Sequence, residues 1–208
     1  DKKKRKNILY LMTSKGRFNR SIDFEINLKN LYSYFSQTCP NFYSKINDKL
    51  KKNIVFRSSK VNFWNEKEYL QQFCKEAKID FNQEQTNLFK AVNNSKIVVC
   101  SYLSTTFLEV ISANAPVILF SPYSHENFNS ETLDLLNQME KCDIFFKRHD
   151  EAAYFINNNW NTIDSWWWSE KVQKCRAKFV ENFSKINPNL IKDIQSLIKE
   201  IKYQVNTK

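Results

Sequence analysis

Two apolar runs, Ile97–Val99 and Val117–Phe120, carry no polar residue between their members. A strand with one wet face alternates, whereas a strand buried on both faces reads as a continuous apolar run, and such strands belong to parallel sheets covered by helices. The stretch that holds both runs, KIVVCSYLSTTFLEVISANAPVILFSP over Lys96–Pro122, therefore predicts a strand, a hydroxyl-rich turn, an amphipathic helix and a second strand. Further strands are expected over Asn7–Met12, Asn53–Phe56 and Asp143–Phe146. Helical periodicity marks Leu28–Gln37 and Asn41–Lys51, separated by Pro40, then Glu66–Ala77, Glu84–Asn93, Asn129–Lys141 and Glu151–Asn159. The tail from Trp166 to Tyr203 reads as mostly helical, with a break near Asn187 and Pro188. Strands alternate with helices and no hairpin signal intervenes. That order predicts an α/β class, a Rossmann-like parallel sheet with helices on both faces and right-handed crossovers. Residues 1–6 read as a basic linker and residues 7–208 as one domain, without repeats or low-complexity segments.

Composition narrows the chemistry. Among 208 residues there is a single glycine, Gly16, which excludes the GxGxxG and Walker-type phosphate loops because both need several. The five cysteines are odd in number and widely spaced, with no CxxC and no Cys/His cluster, so neither a disulfide framework nor a zinc site is expected. A reducing cytoplasm is the simplest compartment, with peripheral contact at the inner face of the plasma membrane open to so basic a chain. No apolar run approaches the ~20 residues of a membrane-spanning helix. The opening DKKKRKNILYLM is basic and then apolar, but its apolar part is short and no small-residue cleavage site follows, so it reads as a linker entering a strand. The formal charge of +10 favours anionic partners: nucleotides, nucleic acid or an acidic membrane surface.

Three turns after three expected strands carry groups that bind phosphate. They are Thr13-Ser14-Lys15-Gly16-Arg17 with Arg20, Arg57-Ser58-Ser59-Lys60, and Ser101 with Ser104-Thr105-Thr106. In a parallel sheet all three open onto one edge. Arginine supplies a forked donor for phosphate oxygens and lysine a point charge. At the third turn Thr106 and Glu109 have the spacing of a capping box. A helix start there would offer unpaired N–H groups and a positive dipole end to an anion. The plainer reading is that Ser and Thr merely cap the helix and that Arg20 and Lys60 are solvated surface charges. Acid–base chemistry is poorly represented: His125 lies in a loop, His149 reads as a strand-end residue, and no nucleophile elbow or carboxylate pair stands out, so no catalytic residue is assigned. Trp160, Trp166, Trp167 and Trp168 could form a lipid-facing belt or a base-stacking platform, but pinning a C-terminal helix across the domain is the simpler role.

The segment SYLSTTFLEVISANAPVILF resembles the Y-x-S-T-T-x-L-E-x-[LI]-x-x-N-x-P-x-I-[LI]-F stretch of a family of bacterial surface-polysaccharide (O-antigen) transferases. More distantly it is similar to the Ser/Thr-rich phosphate motif of capsule and sialic- or Kdo-type sugar transferases with the GT-B fold. The Trp pair followed by Gln173, Arg176, Phe179 and Phe183 is similar to the end of that family, and the order of elements agrees over nearly the whole chain. The resemblance implies the carboxyl-terminal, donor-binding half of a GT-B glycosyltransferase, with a nucleotide-sugar as donor substrate, no separate cofactor and no metal. It implies a saccharide or lipid-linked saccharide as acceptor and an amino-terminal half outside these residues. By the same resemblance Ser104, Thr105 and Thr106 cradle the donor phosphate and Glu109 reaches the ribose. Arg57 matches a basic position, but Ser58-Ser59 replaces the usual His-Pro pair, which puts the second phosphate contact in doubt. Ser14, Lys15, Gly16 and Arg17 complete the expected nucleotide site. Two alternatives remain: a polyol-phosphate transferase or sugar-nucleotide epimerase of the same fold, and a nucleic-acid-binding module whose affinity would fall steeply with salt.

Overall fold

A computed structural model describes residues 5–13, 32–58, 65–80, 87–121, 128–185 and 187–206. Six strands form one sheet: β1 (Asn7–Leu11), β2 (Ile54–Arg57), β3 (Lys78–Asp80), β4 (Ser95–Cys100), β5 (Val117–Phe120) and β6 (Phe145–Phe146). Every pairing is parallel, and the spatial order is β3-β2-β1-β4-β5-β6. This is the doubly wound, Rossmann-like α/β arrangement that the uninterrupted apolar runs predict. Ile8 to Leu11, Ile97 to Cys100 and Val117 to Phe120 are all buried, as strands covered on both faces must be.

Helices cover the two faces. One face packs around Tyr10, Phe42, Phe56 and Phe120. It is closed by α1 (Cys39–Lys45), α2 (Asp48–Lys51), α3 (Glu66–Phe73) and α7 (His149–Asn159). The other packs around Leu9, Val98, Phe107 and Leu119, and is closed by α4 (Leu88–Asn93), α5 (Thr105–Ser112), α6 (Ser130–Lys141) and α9 (Glu170–Phe183). A short helix, α8 (Ile163–Trp167), and a last one, α10 (Leu190–Asn206), complete the described elements. The break expected near Pro188 lies between α9 and α10.

Several boundaries differ from the sequence expectation. Pro40 does not separate two helices: it sits in the first turn of α1. A π-helical turn over Tyr34–Thr38 runs directly into it, and the real interruption is Ile46, in an extended conformation. The helix expected over Glu66–Ala77 stops at Phe73, and Lys78-Ile79-Asp80 forms β3. As an edge strand, β3 is half-exposed and needs no apolar run, so periodicity does not reveal it. The strand expected from Asp143 begins at Phe145, because Asp143 takes a left-handed backbone with φ 58°.

The tryptophan cluster locks the C-terminal helices onto α5. Asn114, just past α5, adopts φ 54°, a conformation Asn tolerates better than most residues. Trp167 Nε1 donates to Asn114 Oδ1 at 3.0 Å, and Asn114 Nδ2 donates to Gln173 Oε1 at 3.1 Å. Gln173 Nε2 closes the circuit on the carbonyl of Trp167 at 2.9 Å, while Arg176 Nη1 donates to the carbonyl of Ile111 at 2.9 Å. Trp166 Nε1 donates to the carbonyl of Cys142, whereas Trp168 is exposed. Trp166 and Trp167 therefore pin the C-terminal helices, the simpler of the roles expected for the cluster, and Trp168 does not. Replacing Trp167 by Phe keeps an aromatic ring but removes the donor that the Asn114 carbonyl and Oδ1 share, leaving Oδ1 with Gln173 Nε2 alone. We predict a loss of about 1–3 kcal/mol in urea unfolding with an unchanged slope; an unshifted midpoint would show that the clasp carries no weight.

Candidate functional site

The next described elements after β1, the π-helical turn and α1, pack on one face of the sheet, and α5, after β4, packs on the other. The carboxyl ends of β1 and β4 are therefore the switch point at which such a fold has its crevice. Ligands of open α/β sheets gather at such a switch point. Here Leu11 pairs with Arg57 on one side and with Cys100 on the other. With neighbouring strands about 4.8 Å apart, the ends of β2 and β4 stand roughly 10 Å from each other across β1. Arg57 and the Ser101–Thr106 turn thus share one edge of the sheet. Ser14, Lys15, Gly16 and Arg17, with Arg20, Lys60 and His125, lie outside the described residues.

The third turn supplies the hydroxyls. Ser104 is the N-cap of α5, but its side chain makes no capping hydrogen bond, unlike Asn87, Asn129 and Ser169 at the starts of α4, α6 and α9. Thr105 is exposed, and Ser104 and Thr106 are half-buried. The capping box expected between Thr106 and Glu109 does not form. Because α5 begins at Thr105, Glu109 falls in its second turn, beyond the third helical position that a box requires, and its carboxylate is exposed. The amide end of α5 is therefore not closed by its own cap.

Beside this turn lies a cavity of about 240 Å³ between α5, α6 and α9. Leu103, Leu108, Phe179 and Phe183 make its apolar walls, and Ser104, Thr105 and Thr132 bring hydroxyls to it. Ligand pockets commonly span ~300–1,000 Å³. This one has room for a fragment of such a ligand, placed against the start of α5.

Arg57 is 5% exposed and does not stand as a lone cation. Its Nη1 donates to Asp80 Oδ2 at 2.7 Å, from the end of β2 to the end of β3. Burying a guanidinium is costly unless it is paired and hydrogen-bonded, and Asp80 meets that need. Asp80 is a site-edge residue that sequence reasoning missed, because the strand that carries it falls in the stretch left without an element between the helices expected over Glu66–Ala77 and Glu84–Asn93. Thr13 and Ser58 are buried at the same edge. His149 is the first residue of α7 rather than the end of a strand. Burial is the main cause that lowers its pKa, with Arg148 and Lys45 adding to the effect against an opposing pull from Asp150. It follows β6, at the far end of the sheet from the crevice. Among the described residues, no group of three or more His, Cys, Asp or Glu side chains could hold a metal, and no helix is long and apolar enough to cross a membrane.

Beneath the crevice are four buried polar side chains: Tyr10, Tyr34, Cys39 and Ser101. Tyr34 Oη and Ser101 Oγ are 2.5 Å apart, and Ser101 Oγ donates to the carbonyl of Leu11 at 3.1 Å. Cys39 Sγ donates to Tyr10 Oη at 3.6 Å. Burial pushes the Cys39 thiol up to about 12 and raises both tyrosines well above the usual phenol range, so all stay protonated near neutrality.

The order of elements, the Ser-Thr-Thr turn and the Trp-Gln-Arg clasp run through nearly the entire chain, and the model of one protein family matches residues 1–198. The chain belongs to the LIC12162 family of transferases. No curated protein and no solved structure matches it significantly. In this LIC12162 family transferase the elements that frame the crevice all fall within the matched residues.

Substituting Asp80 by Ala tests the wiring of the edge. It removes a charge-assisted bond from a buried guanidinium, and we predict a destabilisation of about 1–3 kcal/mol in chemical unfolding. Wild-type stability in that variant would mean that the Arg57–Asp80 pair adds nothing net to stability.

Proposed function

We propose that this transferase moves a glycosyl unit from a nucleotide-sugar, and that the carboxyl edge of its sheet binds the donor. The observation that carries this reading is the convergence of Arg57 and the Ser104-Thr105-Thr106 turn on one edge, on either side of β1. A diphosphate placed there meets the open amide end of α5, three hydroxyls and a guanidinium. As the bond between sugar and phosphate breaks, negative charge grows on the leaving phosphate. Donors fixed in advance around it stabilise that charge without reorganising. Glu109, exposed on the second turn of α5, would reach the ribose. Ser14, Lys15, Gly16 and Arg17 would add a second phosphate contact from the segment after β1.

Magnitudes show that the helix end cannot act alone. A dipole contribution of about 1 kcal/mol falls far short of the roughly 8 kcal/mol behind a micromolar complex. Charge-assisted bonds and apolar burial must supply most of the difference. The cavity lined by Leu108, Phe179 and Phe183 offers such burial next to the hydroxyls.

The broader role we propose is assembly of bacterial cell-surface polysaccharide, including O-antigen, with a saccharide or lipid-linked saccharide as acceptor. This chain would be the donor half of a GT-B enzyme, cytoplasmic and in peripheral contact with the plasma membrane. Membership in a transferase family favours group transfer over epimerisation and over a nucleic-acid-binding module.

Titration calorimetry with CMP, UDP, GDP and their sugars tests the reading. At least one should bind, and Thr105→Ala should weaken it about fivefold, the worth of one hydrogen bond, with an unchanged melting temperature. If every nucleotide fails to bind while RNA binds with strong salt dependence, the nucleic-acid reading replaces this one.

A further inference from the structure

Tyr34 and Ser101 are both 0% exposed, and their hydroxyls meet in the core beside the Tyr10 hydroxyl and the Cys39 thiol, amid apolar side chains. Their proton arrangement follows from the partners. A carbonyl can only accept, so the single hydrogen of Ser101 is committed to the carbonyl of Leu11, and Tyr34 must donate to Ser101. The chain of donors runs from the π-helical turn to the start of the β4–α5 turn and on to the last residue of β1. It therefore joins three segments that are distant in sequence, at the floor of the crevice.

Folding alone does not call for such an arrangement. A buried polar pair gains little net stability over an apolar pair of the same shape, whereas a half-satisfied one is costly. What a fully satisfied pair gives is a fixed relative position of the parts it joins. Ser101 stands three residues before Ser104 and four before Thr105, with only Tyr102 and Leu103 between the bolt and the hydroxyls of the turn. Slack at Ser101 passes directly into the height at which α5 begins. The π-helical turn that carries Tyr34 is itself a local departure from α geometry, of the kind that recurs at functional sites.

We propose that Tyr34 and Ser101 are positioning residues for the nucleotide site: their hydroxyl pair bolts the β4–α5 turn to the π-helical turn, Ser101 ties it on to the end of β1, and both links together set Ser104 and Thr105 at the working height over the crevice. This rests on the donor-binding reading above, and it adds residues that touch no ligand.

The test combines a readout that needs no ligand with one that does. In Tyr34→Phe, Ser101 keeps its bond to Leu11, so the protein should fold. Amide hydrogen exchange at Leu108, whose N–H bonds the carbonyl of Ser104, and at the next amides of α5 should then quicken about fivefold or more, the factor expected from one lost hydrogen bond, while exchange in α9 stays unchanged. Affinity for the nucleotide that the wild-type protein binds in calorimetry should fall by a similar factor. Ser101→Ala should behave likewise, Ser101→Thr should restore both readouts, and the double variant should be no worse than either single one. Unchanged exchange at these amides, or acceleration spread evenly over the whole molecule, overturns the positioning role. Local acceleration in a protein whose wild type binds no nucleotide would retain the bolt and reject the donor-binding reading.

Discussion

The parallel ladder between β1 and β4 is the contact on which the rest of this molecule depends. Five register pairs join the two strands, from Asn7 with Ser95 to Leu11 with Cys100. Because both strands point the same way, their ends open on one edge. Because the next described elements after them lie on opposite faces, those ends form the switch point of the sheet. Arg57 and the Ser-Thr-Thr turn both owe their places to that geometry. Arg57 reaches the edge as the neighbour of Leu11 on the far side, and the turn reaches it as the exit from β4.

The edge is built from groups that other residues already hold. Arg57 is paired with Asp80, and Ser101 is shared between Tyr34 and Leu11. At the opposite end of α5, Asn114 is gripped by Trp167 and Gln173. The helix that begins at the crevice is thus fixed at both ends, by a hydroxyl bolt above and an amide–indole clasp below. Such double fixing suits electrostatic work, where donors must be in place before charge develops. Between these anchors, at the start of α5, Ser104 makes no side-chain capping bond.

Much of this is legible in the chain, for physical reasons that differ by element. The core strands announce themselves because burial on both faces leaves no room for polar residues, as Val117–Phe120 shows to the residue. The edge strand β3 does not, since Lys78 and Asp80 are free to face water or a partner. Without β3, Asp80 has no visible place at the edge and the partner of Arg57 stays hidden. The position of the Ser-Thr-Thr turn can be read from the residues, but the capping box cannot: a spacing of three residues fits several frames, and only the backbone shows that α5 starts at Thr105. Pro40 misleads for the opposite reason, because a proline reads as a break unless it falls in a first turn. The Tyr34–Ser101 bolt, between residues 67 apart in sequence, has no local signature at all.

The central claim is that a nucleoside diphosphate binds at the split between β1 and β4. Amide chemical-shift mapping by NMR during titration with the nucleotide tests it directly. The account predicts that the perturbed amides cluster at residues 12–13, 57–58 and 101–107, with the opposite ends of the strands silent. Perturbations confined to the amino-terminal edge of the sheet, or to α10, would contradict it.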